Sequence, residues 1–175
     1  MKKIVLVYGC IAGLIVSSIM AIAIATYHSE GNNDYGMLIG YASMLIAFSF
    51  IFVGIRNYRD KQNAGIISFG KAFRIGLFIT LVASSFYVVT WLIEYYYFIP
   101  DYIEKYAAHS IDKLKASGAT AEEIAKETKQ MASFAEMYKN PFFNALMTYV
   151  EIVPVGLIVS LIASLILKRK MKPAL

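Results

Sequence analysis

Long apolar runs alternate with short polar stretches along this chain, and the period of that alternation is the first thing the sequence determines. Apolar residues run from Ile4 to about Tyr27, from Met37 to Ile55, from Ile75 to about Ile99, and from Pro141 to Leu167. Each is close to the roughly 20 residues that an α-helix needs to cross a hydrocarbon core. The third run extends backwards to Phe69, because Phe69, Phe73 and Leu77 recur every four residues and Ser68 is placed to cap a helix there. Pro100 marks the end of that helix or a kink in it. Asn140-Pro141 opens the last, with asparagine as cap and proline at the first helical position.

The stretches between the runs differ in kind. His28 to Gly36 (HSEGNNDYG) is turn-rich and holds Glu30 and Asp34 but no lysine or arginine. Between the second and third runs, RNYRDKQN (56–63) reads as a solvent-facing turn and Gly65 as a helix breaker. Asp101 to Asn140 is the only sizeable polar region. Ile103, Tyr106, Ala107, Ser110, Ile111 and Leu114 form one helical stripe there, and Ser117-Gly118 supplies a stop. Thr120 followed by Glu123 has capping-box spacing, and Ile124, Thr128, Met131, Ala135 and Tyr138 continue as a second stripe. The expected architecture is all-α and integral to a membrane, one domain over residues 1–175. Its spans lie at about 4–27, 37–55, 69–99 and 141–167, with an amphipathic helical hairpin over 101–140 between the third and fourth.

Composition agrees. Of 175 residues, 58% are hydrophobic and 17% charged, against roughly 45–50% and 25% in an ordinary soluble domain. A single cysteine, Cys10, excludes an intramolecular disulfide. The net charge of +5 would suit a nucleic-acid binder, but the bases flank apolar runs instead of interleaving with aromatics on a soluble face, so no nucleic-acid partner is expected. Lys2, Lys3, Arg56, Arg59, Lys61, Lys71, Arg74, Lys168, Arg169, Lys170 and Lys172 bracket the runs, eleven of the seventeen bases. The other six share the hairpin with seven acids. Short basic segments stay in the cytoplasm while a near-neutral segment translocates, so both termini are expected to be cytoplasmic and the hairpin extracytoplasmic. The first run also fits a cleaved secretory signal, although it is about twice the usual apolar length.

Small residues recur at four-residue spacing: Gly9, Gly13, Ser17, Ala21 and Ala25 on the first helix, Ala72, Gly76, Thr80 and Ser84 on the third, Gly156, Ser160 and Ser164 on the fourth. In lipid such ridges let backbones approach closely and drive association. The five-member ridge on the first helix serves either the bundle itself or a homodimer. Arg56, Arg59, Lys61, Lys71 and Arg74 are candidate contacts for lipid headgroups.

Two acids interrupt the apolar runs. Counting from Arg74 and Lys168, Glu94 lies about 30 Å and Glu151 about 25 Å along their helices. Both fall near the far boundary of a core about 30 Å thick, where one polar cavity could hold them. Pro154 follows Glu151 by three residues and frees a carbonyl beside it. Intramembrane acids point to proton or cation handling, or to a hydrogen-bonded packing site. Histidine occurs only at His28 and His109, and nucleophile, metal and nucleotide motifs are absent from the sequence. No catalytic residue, metal site or cofactor is assigned, and enzymatic activity is not expected.

The opening KKIVLVYGCIAGLI, then GYASMLIAFSFIFVGIRNYRD, GIISFGKAFRIGL, WLIEYYY and EIVPVGLIVSLIASLILKRK together resemble the domain of unknown function 4199 family, small bacterial inner-membrane proteins. The resemblance covers nearly the whole chain and implies four membrane helices in the bacterial cytoplasmic membrane. It brings no activity or ligand with it. The leading functional expectation is an accessory or structural membrane component acting through helix packing and contacts with lipids, a second copy or another membrane protein. Two alternatives stand beside it: a small proton- or cation-coupled transporter using Glu94 and Glu151, and an envelope or lipid-state sensor using the 101–140 hairpin.

Overall fold

The computed structural model describes residues 1–30 and 36–169, with side chains placed over 1–25 and 38–169. Six helices follow one another: α1 (Lys2–Glu30), α2 (Gly36–Gln62), α3 (Phe69–Tyr97), α4 (Tyr102–Ala116), α5 (Ala121–Tyr138) and α6 (Pro141–Leu167). Four of them, α1, α2, α3 and α6, are long and apolar enough to cross a membrane. At 27 to 29 residues each they measure about 40 Å, more than the hydrocarbon thickness.

The local signals behind three helix starts are realised in the structure. The Ser68 hydroxyl accepts from the Lys71 amide at 3.4 Å and so caps α3. Asn140 Oδ1 accepts from the amides of Phe142 and Phe143 at 2.9 and 3.4 Å, with Pro141 as the first residue of α6. Thr120 and Glu123 close a reciprocal capping box at the start of α5. Between α4 and α5, Gly118 takes φ +82°. Its amide bonds to Lys115 and that of Ala119 to Leu114, the pattern that terminates a helix on a left-handed residue.

Two boundaries differ from expectation. The helix α2 runs on through 56–62, where a turn was expected, and stops only at Ala64 and Gly65, both with positive φ (50° and 78°). Charge does not break a helix; Arg56, Arg59, Lys61 and Gln62 are good helix formers, and the Arg56–Asp60 pair lies at i,i+4 spacing along it. The first helix continues through His28–Glu30, where the turn-rich composition of 28–36 predicts loop. The remainder of that loop, 31–35, lies outside the described residues, as do Lys170 and Lys172.

The chain forms two compact units, Met1–Trp91 with Tyr149–Leu175, and Leu92–Thr148. In the first, the core is a column of buried Ala12, Val16, Met44, Phe48, Ile51, Ile55, Ile75, Ile79, Ala83 and Ile152. Its helices register through small residues. A Cβ on Gly9 would lie 2.7 Å from Val82, one on Gly13 2.7 Å from Phe86, and the Thr90 hydroxyl donates to Ser17 at 3.0 Å. Contacts that advance together by four residues on each side mean that α1 and α3 run parallel. Tyr8 meets Gly54 and accepts from Asn57 Nδ2 at 2.8 Å, and the Met1 ammonium donates to Gln62 at 3.3 Å, so α2 runs antiparallel to α1. Gly76 faces Ser160 and Gly156 faces Thr80, which makes α6 antiparallel to α3.

The outward positions of these helices carry Leu6, Leu14, Leu45, Val53, Leu81, Val89, Ile158 and Ile166, all exposed. A soluble domain does not surround itself with such residues. They form the apolar coat expected of lipid-facing helices.

The second unit is built differently. Tyr95 packs edge-on against Tyr138 (ring centroids 5.3 Å apart), Tyr138 against Phe134 (5.4 Å) and Phe134 against Phe143 (6.0 Å). The Tyr96 hydroxyl donates to the Lys139 carbonyl at 3.0 Å. Elsewhere α4 and α5 are largely exposed and laced with local ion pairs, among them Lys105–Asp101 at 2.7 Å and Lys139–Glu136 at 2.9 Å.

Candidate functional site

Polar chemistry is concentrated in three places: the seam between α3 and α6, the buried acid Glu94, and the basic end of the first unit.

In the seam, Thr80 and Ser160 are fully buried and their hydroxyl oxygens lie 3.2 Å apart. Ser164 donates back to the Ser160 carbonyl at 2.6 Å, satisfying its hydroxyl within its own helix. A Cβ added at Gly76 would lie 2.8 Å from Ser160, and one at Gly156 would overlap Thr80. The two backbones are therefore as close as these side chains permit; the Thr80, Ser160 and Ser164 hydroxyls bond to protein, whereas the buried Ser84 hydroxyl, one turn further along α3, has no partner among the described residues. Of the ridge on α1, Gly9, Gly13 and Ser17 face α3, whereas Ala21 and Ala25 are exposed.

Glu94 is 94% buried near the end of α3, and its Oε2 has no hydrogen-bond partner. A buried carboxyl oxygen without a partner is costly, and it marks this as a place where packing alone leaves a polar atom unanswered. Its own carbonyl accepts from both Phe98 and Ile99 as the helix ends. In the same unit, buried Thr148 donates to the Asn144 carbonyl at 2.8 Å, one turn back along α6. Glu151 belongs to the first unit and sits on an exposed face of α6. Pro154 lies within α6 and removes the donor that the Val150 carbonyl would otherwise receive. Burial thus separates two acids that look alike in the sequence.

At the basic end, the N-terminus of α1, the C-terminus of α2, the start of α3 and the C-terminus of α6 are tied together. Residues 63–66 make a tight turn, with the Ile66 amide donating to the Asn63 carbonyl at 3.0 Å and positive φ at both central positions, as in a type I′ turn. The next residue, Ile67, is buried and exchanges two backbone bonds with Arg169 (3.0 and 2.9 Å). This bridge joins residues 102 positions apart and was not anticipated. The one local sign of it is an apolar β-branched pair, Ile66-Ile67, wedged between a turn glycine and a helix cap.

The five bases singled out from the sequence take different places in this arrangement. Arg59 bonds to both carboxylate oxygens of Asp60 (2.6 and 3.1 Å) and donates to the Leu167 carbonyl at the end of α6 (3.3 Å). Lys71 lies over the Tyr58 ring, 5.1 Å from its centroid. Arg56 reaches Asp60 at 3.6 Å with 73% of its side chain exposed. Lys61 and Arg74 are exposed and make no ion pair among the described residues.

A family model described as a protein of unknown function (DUF4199) matches residues 7–169, nearly the whole chain and parts of all six helices. The chain belongs to the DUF4199 family. No curated protein and no solved structure matches it. Membership carries no activity across to this DUF4199 chain.

Proposed function

We propose that this DUF4199 protein is a multi-pass component of the bacterial cytoplasmic membrane, with both termini in the cytoplasm, that works through contacts and not catalysis. Four membrane-capable helices and the gathering of bases at one end support that placement. The observation that carries the accessory role is the closed seam between α3 and α6, where Gly76 and Gly156 bring the backbones against Ser160 and Thr80. A seam packed to that density suits a fixed scaffold better than a path for solute. The reading predicts a stable partner, another membrane protein or a second copy. Isolation in mild detergent with chemical cross-linking tests it: reproducible co-recovery supports the role, and a chain that is always monomeric and alone refutes it.

Glu94 supports a second reading, proton- or cation-coupled transport, because its buried Oε2 lacks a partner. Reconstituted vesicles decide the point. Proton or cation flux that disappears in Glu94→Gln favours transport; a wild type without flux, or one matched by Glu94→Gln, removes it.

A further inference from the structure

We infer that the basic end of the first unit is a binding surface for the phosphate headgroups of anionic phospholipids. The inference rests on the membrane-spanning reading and goes beyond it by naming the lipid class and the side chains. Nine described bases gather there: Lys2 and Lys3 on α1, Arg56, Arg59 and Lys61 on α2, Lys71 and Arg74 on α3, Lys168 and Arg169 after α6. Among the described residues one acid, Asp60, accompanies them, and it is already engaged by Arg59 and Arg56. Among the described residues Lys2, Lys3, Lys61, Arg74, Lys168 and Arg169 are exposed and form no ion pair.

Helix stability does not account for them. Lys2, Lys3 and Lys71 lie in first turns that contain no acid, where the helix dipole disfavours cations. Nor does salt bridging among the described residues, since Asp60 is taken. What remains is an external anion, and the geometry says where it sits. The bridge between Ile67 and Arg169 and the Met1–Gln62 bond hold all four helix ends at one level. Next to Lys71 and Arg74, Phe69 and Phe73 stack with centroids 6.0 Å apart, and Phe69 is exposed. Rings beside bases at the end of an apolar helix match an acyl chain beside its phosphate. Free phosphate has no use for the rings, so the lipid is the occupant.

The test uses the full-length protein in neutral detergent, with the thermal unfolding midpoint followed as phosphatidylglycerol, phosphatidylcholine or inorganic phosphate is added at matched ionic strength. Phosphatidylglycerol should raise the midpoint by several degrees, and the other two should not. Each base near an anionic surface contributes about fivefold in binding, so replacing Lys2, Lys3, Lys61 and Arg74 together by Gln should weaken the preference at least about tenfold. The matching replacement of Lys113, Lys115, Lys126 and Lys129 in α4 and α5 should leave it intact. Equal shifts with phosphatidylcholine, a shift with free phosphate, or loss in both variants would overturn the assignment. If the first variant does not fold, wild type decides: the phosphatidylglycerol effect should vanish at about 1 M salt, where screening acts within about 3 Å, and an effect that survives refutes it. Alkaline carbonate extraction keeps the two levels apart. A chain released by carbonate refutes the membrane reading itself, whereas one that stays inserted without lipid preference refutes only the headgroup surface.

Discussion

The two compact units are both helical but are packed by different kinds of side chain. In the first, side chains are removed where helices meet: Gly9, Gly13, Gly54, Gly76 and Gly156 are sites where a Cβ would press into a neighbour. In the second, side chains are added: Tyr95, Tyr138, Phe134 and Phe143 form a chain of ring contacts, and α5 begins with a capping box. Close approach of backbones is what association in lipid requires, because lipid gives little hydrophobic drive between helices. Large rings instead add buried area with edge-on geometry, and the capping box satisfies amides at a helix end.

Substitutions that respect one rule and violate the other should separate the units. The largest effect is expected from Gly156→Val, which places a branched side chain against Thr80; overpacking of this kind costs about 1–3 kcal/mol or more. A drop in the detergent unfolding midpoint reads it. Gly40→Ala is the control, because nothing lies within 4 Å of a Cβ there, and it should be neutral or mildly stabilising. Equal effects at the two sites would remove close approach as the organising force.

Next in size, Thr120→Ala should cost the hairpin about 1 kcal/mol. Hydrogen exchange should show faster opening of α5 amides while α1–α3 amides keep their protection. If protection falls everywhere, the units are not independently stabilised. Smaller again is the Thr80–Ser160 contact. Buried interhelical bonds in membrane proteins average about 0.6 kcal/mol, so a double-mutant cycle with Thr80→Val and Ser160→Ala should return a coupling of that order, and zero coupling would deny the bond.

The smallest expected effect is acid-dependent. Bonds from the Thr120 amide, and then its hydroxyl, hold the Glu123 carboxyl below the ordinary carboxylate value. Because the folded value is the lower one, this contribution is fully present above the ordinary range and is lost as pH falls through the folded value. Exchange protection at the start of α5 should decline across that acid window in wild type and be flat in Glu123→Gln. An identical pH profile in the variant would exclude the carboxyl.

Local chemistry explains which parts of this molecule can be read without coordinates. Ser68, Thr120 and Asn140 act on amides two or three residues away, so spacing alone identifies them as caps. The end of α2 could not be read from charge, because helix breaking depends on backbone freedom at Ala64-Gly65 and not on polarity at 56–62. Glu94 and Glu151 occupy similar places in similar runs, and only packing against neighbours buries one and exposes the other. The α1 ridge likewise reads as five equal members, yet Gly9, Gly13 and Ser17 meet α3 while Ala21 and Ala25 are exposed.

By itself, then, the sequence determined four bilayer-length helices, the caps of α3, α5 and α6, a helical hairpin and the clustering of bases at the ends of apolar runs, because apolar length, capping geometry and charge are properties of neighbours along the chain. The tertiary structure decided what neighbours along the chain cannot: that Ile67 pairs with Arg169, that Arg59 turns inward to the end of α6, that α3 and α6 touch at their glycines, and that Glu94 alone of the two acids is sealed from solvent. Each of these depends on which faces meet after the helices assemble, and a one-dimensional pattern assigns a residue to a face without saying what lies opposite.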